Sequence, residues 1–111
     1  MDIRLREDVA ELHAQLCSGL ADPNRILLLY ALAEHPHTVS DLASALELPQ
    51  PTVSRHLKIL RERGMVSAQR EGQSVEYALA DRRIIQALDL LRAVLADVLE
   101  SQVALARAAA F

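Results

Sequence analysis

Residues 38–66 read TVSDLASALELPQPTVSRHLKILRERGMV, a pattern of two short helices joined by a tight turn. We expect Ser40 to cap the first helix, over residues 41–46, because a hydroxyl in that position accepts a backbone N–H. The second helix is expected over residues 50–63, and Gly64 suits the left-handed conformation that follows many helices. This spacing predicts a helix-turn-helix motif whose inward-facing residues are Leu42, Ala45, Leu46, Val53, Leu57 and Leu60.

The outer side of the second helix carries side chains that donate hydrogen bonds to phosphates and base edges. Arginine reads guanine, and glutamine reads adenine, through paired hydrogen bonds in the major groove. Pro49 and Pro51 occupy the start of this helix, so we expect proline, rather than a side-chain cap, to stiffen its first turn. The residues expected to face DNA are Gln50, Thr52, Ser54, Arg55, His56 and Lys58.

A β-hairpin is predicted over residues 65–80, directly after the second helix. Apolar and polar residues alternate there, as they do in half-buried strands, and residues 71–74 form a loop that contains Gly72. We interpret the hairpin as a wing that lies against the sugar-phosphate backbone of DNA. The wing residues expected at the DNA are Arg70, Gly72, Gln73 and Ser74.

Amphipathic helices are predicted at both ends of the chain, over residues 1–20 and 81–111. Both are too apolar for the surface of a small monomer. Their apolar residues recur about every 3.5 positions, which indicates packing against a second copy of the chain. The residues expected at this dimer interface are Leu5, Val9, Leu12, Leu16, Leu88, Leu91, Leu95 and Val98.

The segment between the first helix and the motif completes the predicted fold. A helix is expected over residues 23–34 after the capping residue Asp22, and it is expected to be buried because it is apolar nearly all round. Residues 38–39 form a short extended stretch. The sequence therefore predicts a mainly α protein with a small β-hairpin (α+β class). It would be a single winged helix-turn-helix domain over residues 1–111, with the helix-turn-helix at 38–63, dimerising through its N- and C-terminal helices.

The charge of the chain is unevenly distributed. Its 111 residues suffice for one domain, and their net charge is −3. Residues 48–75 nevertheless carry five basic and two acidic side chains, whereas residues 1–47 carry three and eight. A basic centre on an acidic body predicts a local site for a polyanion such as double-stranded DNA. Aromatic residues make up only 3% of the chain, which argues against RNA recognition by base stacking.

Cysteine content and hydropathy exclude other classes of protein. Cys17 is the one cysteine, which excludes a disulfide framework and zinc motifs built on cysteine pairs. No apolar run approaches the ~18 residues of a membrane span, and the first residues do not form a secretory signal, so we expect a cytoplasmic protein with no membrane partner. The sequence contains no Gly-rich phosphate loop, HExxH motif or nucleophile elbow, so we do not expect an enzyme.

Three segments resemble the ArsR/SmtB family of winged-helix repressors. They read LADPNRILLL (residues 20–29), TVSRHLKILRERGMV (residues 52–66) and GQSVEY (residues 72–77), and the resemblance covers about residues 10–100. It implies a homodimer joined by the first and last helices, an inverted-repeat promoter site, and a repressor that leaves DNA when an inducer arrives. It also implies that the six residues named for the second helix of the motif are the recognition residues.

The resemblance also implies where the family binds metals, and this chain lacks the donor atoms there. One family site uses Cys-Val-Cys where this chain has Thr38-Val39-Ser40, and hydroxyls do not replace thiolates for soft ions. The positions that match the family's second site hold Asp81, Arg83, Val94 and Asp97. This set contains two carboxylates and no imidazole, which makes a poor zinc site. We therefore expect no metal and no cofactor.

Several readings stay open. A disulfide at Cys17 would have to join two subunits, because the chain has no second cysteine. The pairs His13–Cys17 and His35–His37 are better interpreted as ordinary side chains than as metal ligands. A small-molecule inducer of unknown identity, modification of Cys17, or protein concentration alone would each serve as control. The alternative function is a winged-helix protein-interaction or antitoxin-like module, with DNA binding secondary.

Overall fold

The structure, a computed structural model, describes residues Met1–Ala110, which fall into two compact units. The first unit ends at Asp81 and the second begins at Arg82. Phe111, the last residue of the predicted dimerisation helix, lies outside the described residues. The helices are α1 (Ile3–Leu12), α2 (Pro23–Glu34), α3 (Val39–Leu46), α4 (Gln50–Glu62) and α5 (Arg83–Ala110), and the strands are β1 (His37–Thr38), β2 (Val66–Glu71) and β3 (Ser74–Leu79).

The N-terminal helix changes its winding partway along. Asp2 caps α1 by accepting a hydrogen bond from the Arg4 backbone N–H at 2.9 Å, and every residue of α1 is exposed. After α1 the chain continues as a π-helical segment over His13–Cys17, in which the Ser18 N–H bonds to the His13 carbonyl five residues back. The expected continuous α-helix over residues 1–20 is therefore interrupted by a π turn.

Helix α2 has the expected limits and the expected cap. The Asp22 side chain accepts from the Asn24 backbone N–H at 2.8 Å, and Pro23 occupies the first helical position. The prediction that α2 is buried nearly all round is correct for one side of the helix only. Leu28 and Leu29 are fully buried, whereas Leu27 is 52% exposed because a helix at the edge of a small unit meets the core along a single stripe.

Thr38, and not Ser40, caps α3. The Thr38 hydroxyl oxygen accepts from the Asp41 backbone N–H at 3.2 Å, and the helix begins at Val39. The cap moves two residues toward the N-terminus because Thr38 has the extended backbone that an N-cap requires. Ala45 was expected to face inward and is exposed, whereas Ala43 is buried.

The predicted hairpin forms two strands of a three-stranded antiparallel sheet. The strand order is β1-β3-β2, so the short extended stretch before α3 adds an edge strand through the pair His37–Tyr77. Glu71 pairs with Ser74, which leaves a two-residue turn at Gly72-Gln73 in place of the expected four-residue loop. Gly72 has φ = +63°, the conformation that a tight hairpin turn needs at its first central residue.

Aliphatic side chains from three helices, and a methionine after the last of them, form the core of the first unit. Each side chain in this group is at most 1% exposed, and no polar or charged side chain is buried within residues 1–110. Across those same residues, no helix is both long enough and apolar enough to cross a membrane. The fully buried core residues are Leu28, Leu29, Leu42, Val53, Leu57, Leu60 and Met65.

Candidate nucleic-acid interface

A tight turn sets the direction of α4 with respect to α3. Glu47 ends α3 in the left-handed conformation, with φ = 56°. The Leu48 N–H then bonds back to the Ala43 carbonyl at 3.0 Å, which satisfies a carbonyl of the last turn. Pro49 starts α4 without a side-chain cap, as expected from the sequence. The two helices of the motif are thereby joined by three residues.

Helix α4 buries one side and exposes the other. Val53, Leu57 and Leu60 are fully buried at i, i+4 and i+7, which fixes the rotation of the helix about its own axis. Thr52 and His56 are half-buried at the border between the two sides. The remaining four residues of the predicted recognition set are exposed, together with Arg61 one turn further along: Gln50, Ser54, Arg55, Lys58 and Arg61.

His56, one of the residues expected to face DNA, also contacts another helix of the fold. One terminal guanidinium nitrogen of Arg25, in α2, donates to Nδ1 of His56 at 3.3 Å. This nitrogen is therefore engaged inside the fold, and the ring is aimed at α2. The sequence pattern of α4 alone does not reveal this contact because the two residues are 31 positions apart.

The exposed side of α4 is a cluster of available cations. Arg55, Lys58 and Arg61 form no ion pair with any residue between Met1 and Ala110. A cation without an intramolecular partner keeps its full attraction for an external anion. Glu62 is the acidic residue at the end of the same helix. The surface therefore suits a polyanion such as the phosphate backbone of DNA.

The β2–β3 hairpin presents its predicted residues around the tip. Arg70, Gly72, Gln73 and Ser74 are all exposed. The Ser74 hydroxyl donates to the Glu71 carbonyl at 3.1 Å, so it closes the turn. Gly64 carries the chain from α4 into β2 with φ = +76°, as expected for the residue after a helix. The recognition helix and the wing thus follow each other directly within one compact unit.

The residues predicted at the dimer interface differ in how much surface they offer. Leu5, Val9 and Leu12 of α1 are 47–51% exposed, while Leu16 is half-buried in the π-helical segment. Leu88 is 5% exposed in the single chain, and its place in the dimer interface stays a prediction. The other predicted residues of α5 are strongly exposed, with Leu91 at 61%, Leu95 at 55% and Val98 at 44%.

Some of the side chains considered for metal binding have other contacts in the structure. Within the described part of the chain, no three His, Cys, Asp or Glu side chains lie close enough to share an ion. The Thr38 hydroxyl already accepts the N–H of Asp41. The rings of His35 and His37 lie 4.1 Å apart, and Nδ1 of His35 donates to the Pro36 carbonyl at 2.8 Å, which removes it as a ligand atom.

Comparisons with known proteins place these features in a family context. A family model described as "Bacterial regulatory protein, arsR family" matches residues 22–68. The chain is 40% identical over 77 residues to the HTH-type transcriptional repressor SmtB of Mycobacterium tuberculosis, a match that covers 69% of this chain and 57% of the repressor. The matched region therefore spans less than two thirds of that relative.

Two further similarities extend over more of the compared proteins. The HTH-type transcriptional regulator CmtR of Mycobacterium bovis is 44% identical over 84 residues, covering 75% of this chain and 71% of the regulator. The solution NMR structure of a homodimeric winged helix-turn-helix DNA-binding domain from Mycobacterium bovis superposes with a TM-score of 0.75. That domain is 27% identical, and the superposition covers 90% of this chain and 92% of the domain.

Proposed function

Because the chain belongs to the arsR family of bacterial regulatory proteins, we propose that it is a sequence-specific DNA-binding transcriptional regulator acting as a homodimer. The observation that carries the proposal is the exposed side of α4. Arg55, Lys58 and Arg61 stand there without ion-pair partners among the described residues, on a helix whose rotation is fixed by its buried side. A rigid helix with free cations on its outer side is what a recognition helix requires.

The contacts follow from the chemistry of each side chain. Arg55 and Gln50 read base edges in the major groove, since their forked donors match guanine and adenine. Lys58 and Arg61 neutralise phosphates, which gives affinity without sequence preference. Arg70 and Gln73 of the wing contact the sugar-phosphate backbone beside the groove. Sequence preference therefore rests on the first turns of α4, and affinity rests on the whole cationic surface.

A dimer binds DNA more selectively than a single copy, because two α4 helices contact the DNA together. Two copies related by a twofold axis present two α4 helices, which match an inverted repeat whose half-sites lie about 34 Å apart. Occupancy of such a site in a promoter blocks transcription, so we propose a repressor. The donor atoms at Thr38-Val39-Ser40 do not suit the soft metals of the family, so we propose that release from DNA does not use that site.

The experiment is equilibrium binding measured by fluorescence anisotropy at several salt concentrations. The probe is a duplex enriched by the protein from a library of random sequences, compared with a shuffled duplex of the same composition. We expect an inverted repeat in the enriched duplex and a steep loss of affinity with salt. Failure to enrich any sequence over a mock selection would contradict the proposal.

Matched variants assign the binding to α4. The double variant Arg55→Ala/Lys58→Ala removes two charges from the proposed interface, and Arg4→Ala/Arg107→Ala removes two exposed charges from α1 and α5. We expect the first to lower affinity at least a hundredfold and to flatten the salt dependence by about two phosphate contacts, one from Lys58 in each copy of the dimer. We expect the second to change neither. Equal effects of both variants would mean that the affinity reflects net charge alone.

The protein-interaction module is the competing function. It gives no role to the unpaired cations of α4, and it predicts that the Arg55→Ala/Lys58→Ala variant binds its partner as the wild type does. The DNA measurement separates the two functions because an interaction module enriches no duplex sequence.

A further inference from the structure

The N-terminal helical region ends in backbone carbonyls that accept hydrogen bonds from two arginines. Carbonyls at the end of a helix lack partners within it and carry partial negative charge. Arg25 of α2 donates from Nε to the Gly19 carbonyl at 2.7 Å and from a terminal nitrogen to the Ser18 carbonyl at 3.3 Å. Arg63, the residue that ends α4, donates to the carbonyl of Ala14 in the π-helical segment. Arg25 and Arg63 thus hold the same helix end from different elements.

Arg25 has a third contact, which joins this helix end to the recognition helix. Its other terminal nitrogen donates to Nδ1 of His56 at 3.3 Å. A guanidinium is planar and rigid, so its bonds to Ser18, Gly19 and His56 fix those three groups in one geometry. His56 lies directly after Arg55 along α4 and two residues before Lys58.

The packing beside this contact is tight. A Cβ atom added at Gly19 would lie 3.1 Å from the sulfur of Met65 and 3.5 Å from Cγ of Arg63. The end of the N-terminal helical region therefore lies directly against the segment that follows α4. A shift of that helix end moves α4, because little free space remains to absorb it.

We propose that Arg25 is a positioning residue for DNA binding, which acts by holding His56, and with it α4, against the end of the N-terminal helical region. This inference rests on the proposed function. Arg25 touches no DNA in this role. It keeps Arg55 and Lys58 in the position and orientation that the grooves of DNA demand, and recognition tolerates little error in that placement. The helix that is proposed to pair the two copies is thereby connected to the helix that is proposed to read the bases.

The role of His56 follows from the direction of its hydrogen bond with Arg25. Arginine nitrogens can only donate, so Nδ1 of His56 is the acceptor. A replacement that keeps an acceptor at this position should therefore keep the contact, and a replacement that lacks one should lose it.

The test compares two replacements of His56 in the full chain. His56→Asn places an amide oxygen close to the position of Nδ1 and keeps an acceptor there, whereas His56→Leu removes it. The probe is the enriched duplex, with affinity measured at several salt concentrations. We expect His56→Leu and Arg25→Gln each to lose about tenfold in affinity with the salt slope unchanged, because no phosphate contact is removed. We expect His56→Asn to recover most of that loss.

A double variant completes the test. Arg25→Gln/His56→Leu should bind as Arg25→Gln does, because a chain without the Arg25 guanidinium has already lost the contact with His56. Thermal unfolding identifies the temperature range in which every variant is folded, and binding is compared there.

Two results would overturn the inference. These are wild-type affinity in both His56→Leu and Arg25→Gln, or a salt slope reduced by about two in His56→Leu, one contact for each copy of the dimer. The second would make His56 a phosphate contact. A wild-type protein that enriches no duplex would instead refute the proposed function, and that result precedes any comparison of variants.

Discussion

Gly64 and Gly72 are the two residues whose backbone conformation decides where the recognition helix ends and where the wing turns. Their φ angles are +76° and +63°, and a Cβ added at either glycine would meet no heavy atom within 4 Å. A side chain would therefore fit in the available space. The cost of substitution comes from the backbone, since an L residue in the left-handed region is less stable by about 1–2 kcal/mol.

Gly64→Ala is expected to lower the free energy of unfolding by about 1 kcal/mol, through the strained backbone at φ = +76°. Gly64→Asn should lose less, because asparagine enters the left-handed region more readily. Urea unfolding followed by circular dichroism, at one protein concentration, measures both. An alanine variant as stable as the wild type would show that the turn after α4 relaxes to another conformation.

Some single residues could be placed from the sequence alone, and others could not. The position of Gly64 after α4 was predicted because a helix end leaves a local pattern. Thr38 and Ser40 are both good caps, and the choice of Thr38 follows from β1, which holds its backbone extended before α3. The contact of His56 with Arg25 depends on how α2 packs against α4, and no local pattern encodes that packing.

Among the elements, α4 contributes one side to the core and the other side to the proposed DNA interface. Leu57 is fully buried near the middle of the helix, whereas Leu27 of α2 is 52% exposed. Both are leucines in helices of the same unit, so they make a matched pair. Replacing each leucine with alanine changes helix propensity in the same way, so the difference in stability between the two variants reports the effect of burial.

Leu57→Ala is expected to lower the free energy of unfolding by about 2–5 kcal/mol, because it removes buried apolar surface and leaves a cavity. Leu27→Ala should cost less than about 1 kcal/mol, since that side chain is already half in water. Thermal and urea unfolding of the two variants provide the comparison. If Leu27→Ala were the more damaging change, Leu27 would be covered in solution by a second copy.

The elements themselves were mostly predictable from their patterns. Helices α2 and α4 and the hairpin follow apolar periodicity, caps and glycines that stand in the sequence. The π-helical segment His13–Cys17 was not predicted, because it has no compositional signature distinct from an α-helix. The pairing of β1 with β3 was missed because a two-residue strand becomes visible only when its partner is known.

At the scale of the whole molecule, we expect DNA binding to be insensitive to zinc. The sequence has Thr38 and Ser40 in place of thiolates, and the Thr38 hydroxyl is already a helix cap. We expect zinc, added at a concentration that saturates ordinary zinc proteins, to leave the affinity for the enriched duplex unchanged. The control is the same titration in the presence of a chelator. A zinc-dependent loss of affinity would reveal ligands contributed by two subunits together.

The second whole-molecule property is the apolar surface that the isolated chain exposes. Leu91 and Leu95 are 61% and 55% exposed on α5, at a spacing that places them on one side of the helix. Ala93 lies between them in sequence and on the opposite side of the helix. Glutamate at Ala93 therefore serves as a control on the opposite face of the helix, with one added charge where the double variant Leu91→Glu/Leu95→Glu has two.

We expect the wild type to sediment at twice the mass of one chain, and Leu91→Glu/Leu95→Glu to sediment as a monomer, because two buried carboxylates would lack partners in a dimer. The single variant Ala93→Glu should remain dimeric. The monomeric variant should also lose the preference for an inverted repeat over a single half-site, since only a dimer presents two α4 helices at a fixed distance. A variant that stays dimeric would place the subunit interface on α1 or elsewhere. A monomeric variant that kept the preference would show that DNA itself brings the two copies together.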